Sequence, residues 1–159
     1  MSQRIRPATP QDRLAIANIL GGTGNFAPVE IAVALELVDA WLSKGEASEY
    51  YVHVLEDGTA VHGYVCFGPT PLTIGTFDLY WIAVDAAAQG KGYGQMLVRF
   101  AEDDVRGRRG RLLLIETSSQ ESYGGTQRFY ERAGYEVLAR VADFYKPGDD
   151  KIIFGKKVL

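Results

Sequence analysis

The sequence holds a single cysteine, Cys66, so no disulfide can form within the chain, and this usage suits a reducing compartment. No apolar run approaches the roughly 20 residues that cross a bilayer. The opening, MSQRIRPATPQDR, is polar and predicts no secretory signal. An excess of positive charge is missing too. Lys and Arg number 17 against 20 Asp and Glu, and the net charge of −3 argues against a dedicated nucleic-acid binder. Repeats, low-complexity tracts and linkers are also absent. What is present is 159 residues, 47% apolar and 23% charged, enough for one domain over residues 1–159 with a proper core, and not a disordered or fibrous chain. A cytoplasmic location is the expectation. The one basic cluster, RGRRGR from Arg106 to Arg111, follows a helical pattern whose carbonyl end favours positive charge, which makes it a helix terminus before a nucleic-acid patch.

Periodicity predicts the elements. QRIRPAT reads as a first strand, and Thr9, Pro10 and Asp12 as a helix start with a capping hydroxyl, a proline and an acid. That helix stops at Gly21-Gly22. A second begins near Pro28 and carries Ile31, Leu35, Val38 and Leu42 on one face before Gly45. EYYVHVLEDGTAVHGYVCF reads as a hairpin with a two-residue turn at Asp57-Gly58, which would set His53 opposite His62. A strand centred on Asp78 to Val84 leads into the glycine loop QGKGYG and a helix near Gln95 to Arg106, striped by Leu97, Ala101 and Val105. RLLLIET is a buried strand, TQRFYERAG a short helix closed by Gly134, and two last strands, near Tyr135 to Ala142 and Lys151 to Val158, meet at KPGDD. The order β-α-α-β-β-β-α-β-α-β-β mixes hairpins with strand–helix–strand crossovers, so the fold class is α/β (α+β), a mixed sheet with helices on its faces.

The loop from Gln89 to Gly94 carries the chemistry. A loop entering a helix presents unpaired N–H groups and the positive end of the dipole, together an anion site. Glycines let a phosphate reach the main chain, and Lys91 adds a cation. A Walker loop needs Ser or Thr after Gly-Lys, where this chain has Gly92, and a dinucleotide fingerprint needs its third glycine one position later than Gly94. The pattern that fits is Gln/Arg-x-x-Gly-x-Gly/Ala at Gln89, Gly92 and Gly94.

With this pattern between a strand and an amphipathic helix, IAVDAAAQGKGYGQMLV resembles the acetyl-CoA motif of the GNAT superfamily of N-acetyltransferases. RFYERAGYEV is similar to that family's Tyr-x-x-x-Gly-aromatic segment at Tyr130, Gly134 and Tyr135, and IRPATPQDRLAI to its opening strand and helix. The resemblance covers nearly the whole chain. It implies a mostly antiparallel, twisted sheet of about seven strands, acetyl-CoA as co-substrate and an amine acceptor, with dimers common enough in the superfamily to leave a homodimer open. By the same resemblance Gln89, Gly90, Lys91, Gly92, Tyr93, Gly94 and Gln95 hold the pyrophosphate. The strand edge Ile82, Ala83 and Val84 pairs with the pantetheine amides, and Thr126 and Phe129 on the last helix add cofactor contacts. Tyr123 and Gly124-Gly125 stand where many relatives have asparagine and small residues.

Acetyl transfer needs a neutral amine, an oxyanion donor and a proton for the thiolate. A lysine amine has a pKa of about 10.4, so a base helps, and a backbone N–H near Ile82 or Ala83 could face the oxyanion. Tyr130 is the candidate acid, since tyrosine stays protonated at neutral pH. Its neighbour Phe129 points about 100° away and reads as the better core residue. For the base there are two carboxylates. Glu116 matches the position of the presumed base in ribosomal-protein alanine acetyltransferases, and Asp78, six residues before Val84, matches the glutamate position of histone-type members. Ordered water is a third route. His53 and His62 lack a third ligand, so no metal is expected. Asp143, Asp149 and Asp150 read as turn acids, in a hairpin that in this family overhangs the acceptor site. The competing class is a non-catalytic acyl-CoA-binding sensor with the same fold.

Overall fold

The structure is a computed structural model and describes residues 2–120 and 124–159. The elements run β1 (Arg4–Pro7), α1 (Arg13–Gly22), α2 (Pro28–Lys44), β2 (Tyr51–Glu56), β3 (Val61–Pro69), β4 (Thr76–Val84), α3 (Tyr93–Gly107), β5 (Leu112–Ser118), α4 (Gly124–Arg132), β6 (Glu136–Lys146) and β7 (Asp149–Lys157). This is the order the periodicity predicts. Short 3₁₀ turns at Pro10–Asp12, Gly45–Ser48 and Ala86–Ala88 fill connections that the periodicity leaves as loops. No helix among the described residues is long and apolar enough to cross a membrane.

The seven strands form one open sheet in the order β1-β2-β3-β4-β5-β7-β6, antiparallel throughout except for the β4–β5 pair. Its two faces bury separate cores. The stripe Leu97, Val98, Ala101 and Val105 of α3 packs with Leu55, Val65, Phe67, Leu79 and Phe154 on one face. On the other, Ile16, Ile19 and Leu20 of α1 and Ala34 and Val38 of α2 pack with Val52, Val54, Tyr64 and Cys66. Alternation along β2 and β3 feeds both faces, which is why these strands are buried along nearly their whole length. Burial also raises the Cys66 thiol pKa, leaving it an inert core side chain.

Two predicted features need correction. The β2–β3 connection is not a two-residue turn. Asp57 accepts backbone N–H bonds from Thr59 and Ala60 at 2.9 and 3.0 Å, Glu56 pairs with Val61, and a bulge follows Leu55. His53 therefore lies opposite Val65, and His62 turns to the Asp57 carboxylate at 2.7 Å. The last hairpin is also longer than predicted, with β6 and β7 leaving only Pro147 and Gly148 between them. Its acids are consumed in building it. Asp143 accepts the Gly148 N–H, Asp150 accepts the Asp143 N–H and the Arg140 guanidinium, and Asp149 bonds the Ser118 hydroxyl.

The RGRRGR cluster behaves as a helix end. Arg106 bonds the Val158 carbonyl and Asp103. Arg108 pairs with Asp104 and Glu46 and lies 3.9 Å from the Tyr51 ring centroid.

Candidate active site

Parallel strands β4 and β5 are paired only from Thr76 to Leu79 and from Leu112 to Ile115. Beyond that point β4 runs on to Val84 against β3, and β5 runs on to Ser118 against β7, so their facing edges separate and leave a wedge. A bulge in β4 lies at the point of separation. Phe67 pairs with Leu79 and Cys66 with Trp81, which makes Tyr80 an extra residue. The bulge turns Tyr80 and Trp81 to the same face, toward α1 and α2, and returns Ile82 and Val84 to the α3 face.

The glycine loop lies past the end of β4. Gly90 and Gly92 have φ of 80° and 82°, left-handed values that side chains resist, and a Cβ on either would meet nothing within 4 Å. Their bareness thus serves backbone shape and open space in front of α3, whose N-cap is Gly92. Gly94 differs. A Cβ there would approach the Phe129 ring to 3.0 Å, so this glycine lets α3 and α4 come together. Gln89 donates its side-chain amide to the Val84 carbonyl at 3.3 Å, and Lys91 is exposed. Tyr93 is buried, stacked on His62 with ring centroids 5.7 Å apart. Gln95, Thr126, Ile82 and Val84 are half-buried and Ala83 is buried.

Tyr130, and not Phe129, is the more deeply buried of the two rings. Tyr130 is 3% exposed, packed among Phe129, Tyr135 and Phe154, whereas Phe129 is only half-buried. The reason is that α4 turns Tyr130 toward the sheet and Phe129 toward α3. Burial raises the Tyr130 pKa, and among the described residues its hydroxyl has no hydrogen-bond partner. The Thr117 hydroxyl, on β5 beyond the last β4 pair, is likewise buried without a partner.

The two carboxylates differ sharply. Asp78 is half-buried. Loss of water raises its pKa first, the nearby Glu116 charge adds to this, and a 2.7 Å bond from the Thr70 hydroxyl opposes it. Glu116 does not end its strand, which continues to Ser118. Its side chain is half exposed and is paired with Lys151 at 3.1 Å. Lys151 in turn lies 4.4 Å from the Phe144 ring centroid. The α1–α2 face of the sheet carries aromatics that strand alternation does not reveal. Tyr80 meets Tyr50 edge-on at 5.4 Å, and Trp81 meets Phe26 from the α1–α2 connection at 5.5 Å. The hydroxyl of Thr70 was legible only as a residue near Asp78 in sequence. Among the described residues no group of three metal-ligating side chains occurs. Tyr123 lies outside the described residues.

The family model for the acetyltransferase (GNAT) domain matches residues 48–137. A crystal structure of a GNAT-family protein from Desulfovibrio desulfuricans is 44% identical, covers 99% of this chain and 100% of its own, and superposes with a TM-score of 0.96. The chain belongs to the GNAT acetyltransferase family. Two more distant structures share its fold. The Salmonella typhimurium yncA protein, solved with acetyl-CoA, is 22% identical over 100% of this chain and 95% of its own, with a TM-score of 0.76. The ribosomal-protein-S18-alanine N-acetyltransferase of Escherichia coli is 19% identical over 99% and 94%, with a TM-score of 0.77. None of the curated proteins compared matches the chain.

Proposed function

We propose that this protein moves an acetyl group from acetyl-CoA to a primary amine by direct attack in a ternary complex. The observation that carries this reading is the wedge between β4 and β5, opening beside a loop whose left-handed glycines leave the front of α3 bare. The residues present suit an acyl-CoA. The loop from Gln89 to Gly94 and the first turn of α3 offer N–H groups to a diphosphate. The free β4 edge from Tyr80 to Val84 offers main-chain groups to the pantetheine amides, much as a sheet edge takes up a peptide. The orphaned Thr117 hydroxyl, on the other side of the wedge, waits for a polar partner.

The wedge passes through the sheet, so its two faces divide the work. On the α1–α2 face Asp78 takes a proton from the ammonium. Its pKa, raised above the usual carboxylate value, makes it a stronger base than a solvated aspartate. The freed amine attacks the thioester carbonyl carbon, and the N–C bond forms. A main-chain N–H near Ile82 or Ala83 stabilises the oxyanion. As the C–S bond breaks, Tyr130, on the α4 face, gives its proton to the departing thiolate, and the second proton of the newly bonded nitrogen restores the tyrosine hydroxyl, leaving a neutral amide and a free thiol. Glu116, its charge balanced by the Lys151 ammonium at 3.1 Å, leaves the base role to Asp78. Cys66, inert and buried in the α1–α2 core, gives no route through an acyl-enzyme.

The test is thiol release from acetyl-CoA across a panel of primary amines. Amine-dependent release supports the reading. If no amine raises release above hydrolysis while CoA still binds, the non-catalytic acyl-CoA sensor takes its place.

A further inference from the structure

A second concave site lies between α3 and α4, outside the wedge. It is a groove of about 230 Å³ whose walls include Gln95 and Arg99 of α3 and Arg132 of α4, with Glu102 and Lys156 below. Glu102 is 4% exposed and fully engaged. It accepts the Tyr135 hydroxyl at 2.8 Å and the Lys156 ammonium at 3.1 and 3.2 Å, and Lys156 also donates to the Ala133 carbonyl at 2.9 Å. The floor is thus a satisfied ion pair. The two arginines above it are different. Among the described residues neither Arg99 nor Arg132 has a hydrogen-bond or ion-pair partner, whereas Arg6, Arg13, Arg106, Arg108 and Arg140 each hold a carboxylate.

Two unpaired guanidinium groups facing one groove, in a chain of net charge −3, form a local positive site above a neutral floor. Its position limits what it could bind. Arg99 is seven residues past Gly92, so its Cα lies about 10 Å along α3 from the glycine loop. A guanidinium fork binds phosphate or carboxylate oxygens in pairs, and phosphate is the anion that the acyl-CoA reading brings to this side of the loop. We infer that this groove holds the phosphate monoester on the ribose of the cofactor, while its diphosphate sits on the glycine loop. The inference rests on the acyl-CoA reading and assigns Arg99 and Arg132 as the residues that recognise the third phosphate. Gln95, on the wall nearest the loop, stands between the two anion positions.

The experiment compares CoA with dephospho-CoA, which lacks only that phosphate, by calorimetric titration of the full-length protein. Acetyl-CoA and acetyl-dephospho-CoA are compared in parallel by thiol release. Wild-type protein is expected to prefer CoA by about tenfold or more, the order of one or two charge-assisted bonds. Arg99→Ala and Arg132→Ala should each weaken CoA by about tenfold and leave dephospho-CoA within about twofold, which collapses the preference. Arg99→Lys and Arg132→Lys should keep part of it. Arg109→Ala, a charge change past the far end of α3, should leave both affinities unchanged. Both groove arginines are exposed, and an unaltered melting temperature checks that each variant folds. Equal affinity of wild-type protein for the two cofactors, or equal loss of both in the arginine variants, overturns the inference and leaves the acyl-CoA reading standing. Failure of wild-type protein to bind either cofactor overturns both.

Discussion

The Phe129 ring occupies the space a side chain at position 94 would need, with its nearest atom 3.0 Å from where a Cβ of Gly94 would stand. Gly92, two residues earlier, has open space around it and a φ of 82°. These neighbours should fail in different ways. Gly94→Ala overpacks the α3–α4 contact by about 1–3 kcal/mol and should lower the melting temperature by about 2–4 °C per kcal/mol. Adding Phe129→Leu should restore much of it. Gly92→Ala carries a left-handed backbone penalty of about 1–2 kcal/mol, and its methyl group faces the proposed phosphate. Its main effect should be a rise of more than about tenfold in KM for acetyl-CoA.

Asp78→Asn should lower kcat/KM by about 10²–10⁴-fold, the range of a lost general base. The same change should stabilise the fold at neutral pH. The Asp78 carboxyl has a raised pKa in the folded protein, so folding favours its protonated form, and stability falls as pH rises through that pKa. Removing the charge removes the penalty. Thermal scans at pH 7 should therefore give a higher melting temperature for the variant. Thr70→Ala deletes the bond that lowers this pKa and should move the acidic limb of the kcat/KM profile to higher pH.

Tyr130→Phe keeps the ring that Phe129, Tyr135 and Phe154 surround and removes only a hydroxyl that has no partner among the described residues. Melting temperature and CoA affinity should be unchanged while kcat falls by about 10²-fold or more, as for loss of a proton donor. An unchanged kcat would exclude Tyr130 as the acid.

His53 is packed among Trp41, Phe67 and Phe100 with its Nδ1 buried and unpaired. Burial lowers its pKa below 6.5, outweighing the pull of Asp104 and Glu46, while Arg108 pushes the same way as burial. The unfolded chain therefore takes up the proton first. Stability is fully present above about pH 6.5 and declines as pH falls below it. His53→Phe should flatten the drop in melting temperature between about pH 7 and pH 5.5 relative to wild type.

Element order, the α3 stripe and the glycine loop were readable from the sequence because each rests on local periodicity or on residues with special backbone freedom. The α1–α2 side of the wedge was not. Tyr80 and Trp81 share a face only because β4 holds an extra residue, and strict alternation assigns them to opposite faces. The order of burial of Phe129 and Tyr130 escaped for a related reason. Adjacent aromatics on a short helix both suit a core, and only the approach of Gly94 on α3 decides which ring faces which neighbour. His53 and His62 were misaligned because the Asp57 carboxylate builds a loop over residues 57–60 where Asp-Gly alone suggests a tighter one. What distinguishes Asp78 from Glu116, the Thr70 hydroxyl on one and the Lys151 ammonium on the other, lies eight and 35 residues away along the chain.

The extra residue in β4 also sets which changes the segment will bear. Swapping one aromatic for another at position 80 keeps the strand's count. Deleting one residue between Leu79 and Ile82 would cancel the bulge, leave Ile82, Ala83 and Val84 on their present β3 partners and faces, and take one of the two aromatics from the α1–α2 face. In this stretch the number of residues sets the kink where the β4 and β5 edges part, so a one-residue deletion should disturb the mouth of the wedge more than an aromatic exchange does while leaving the rest of the strand in place.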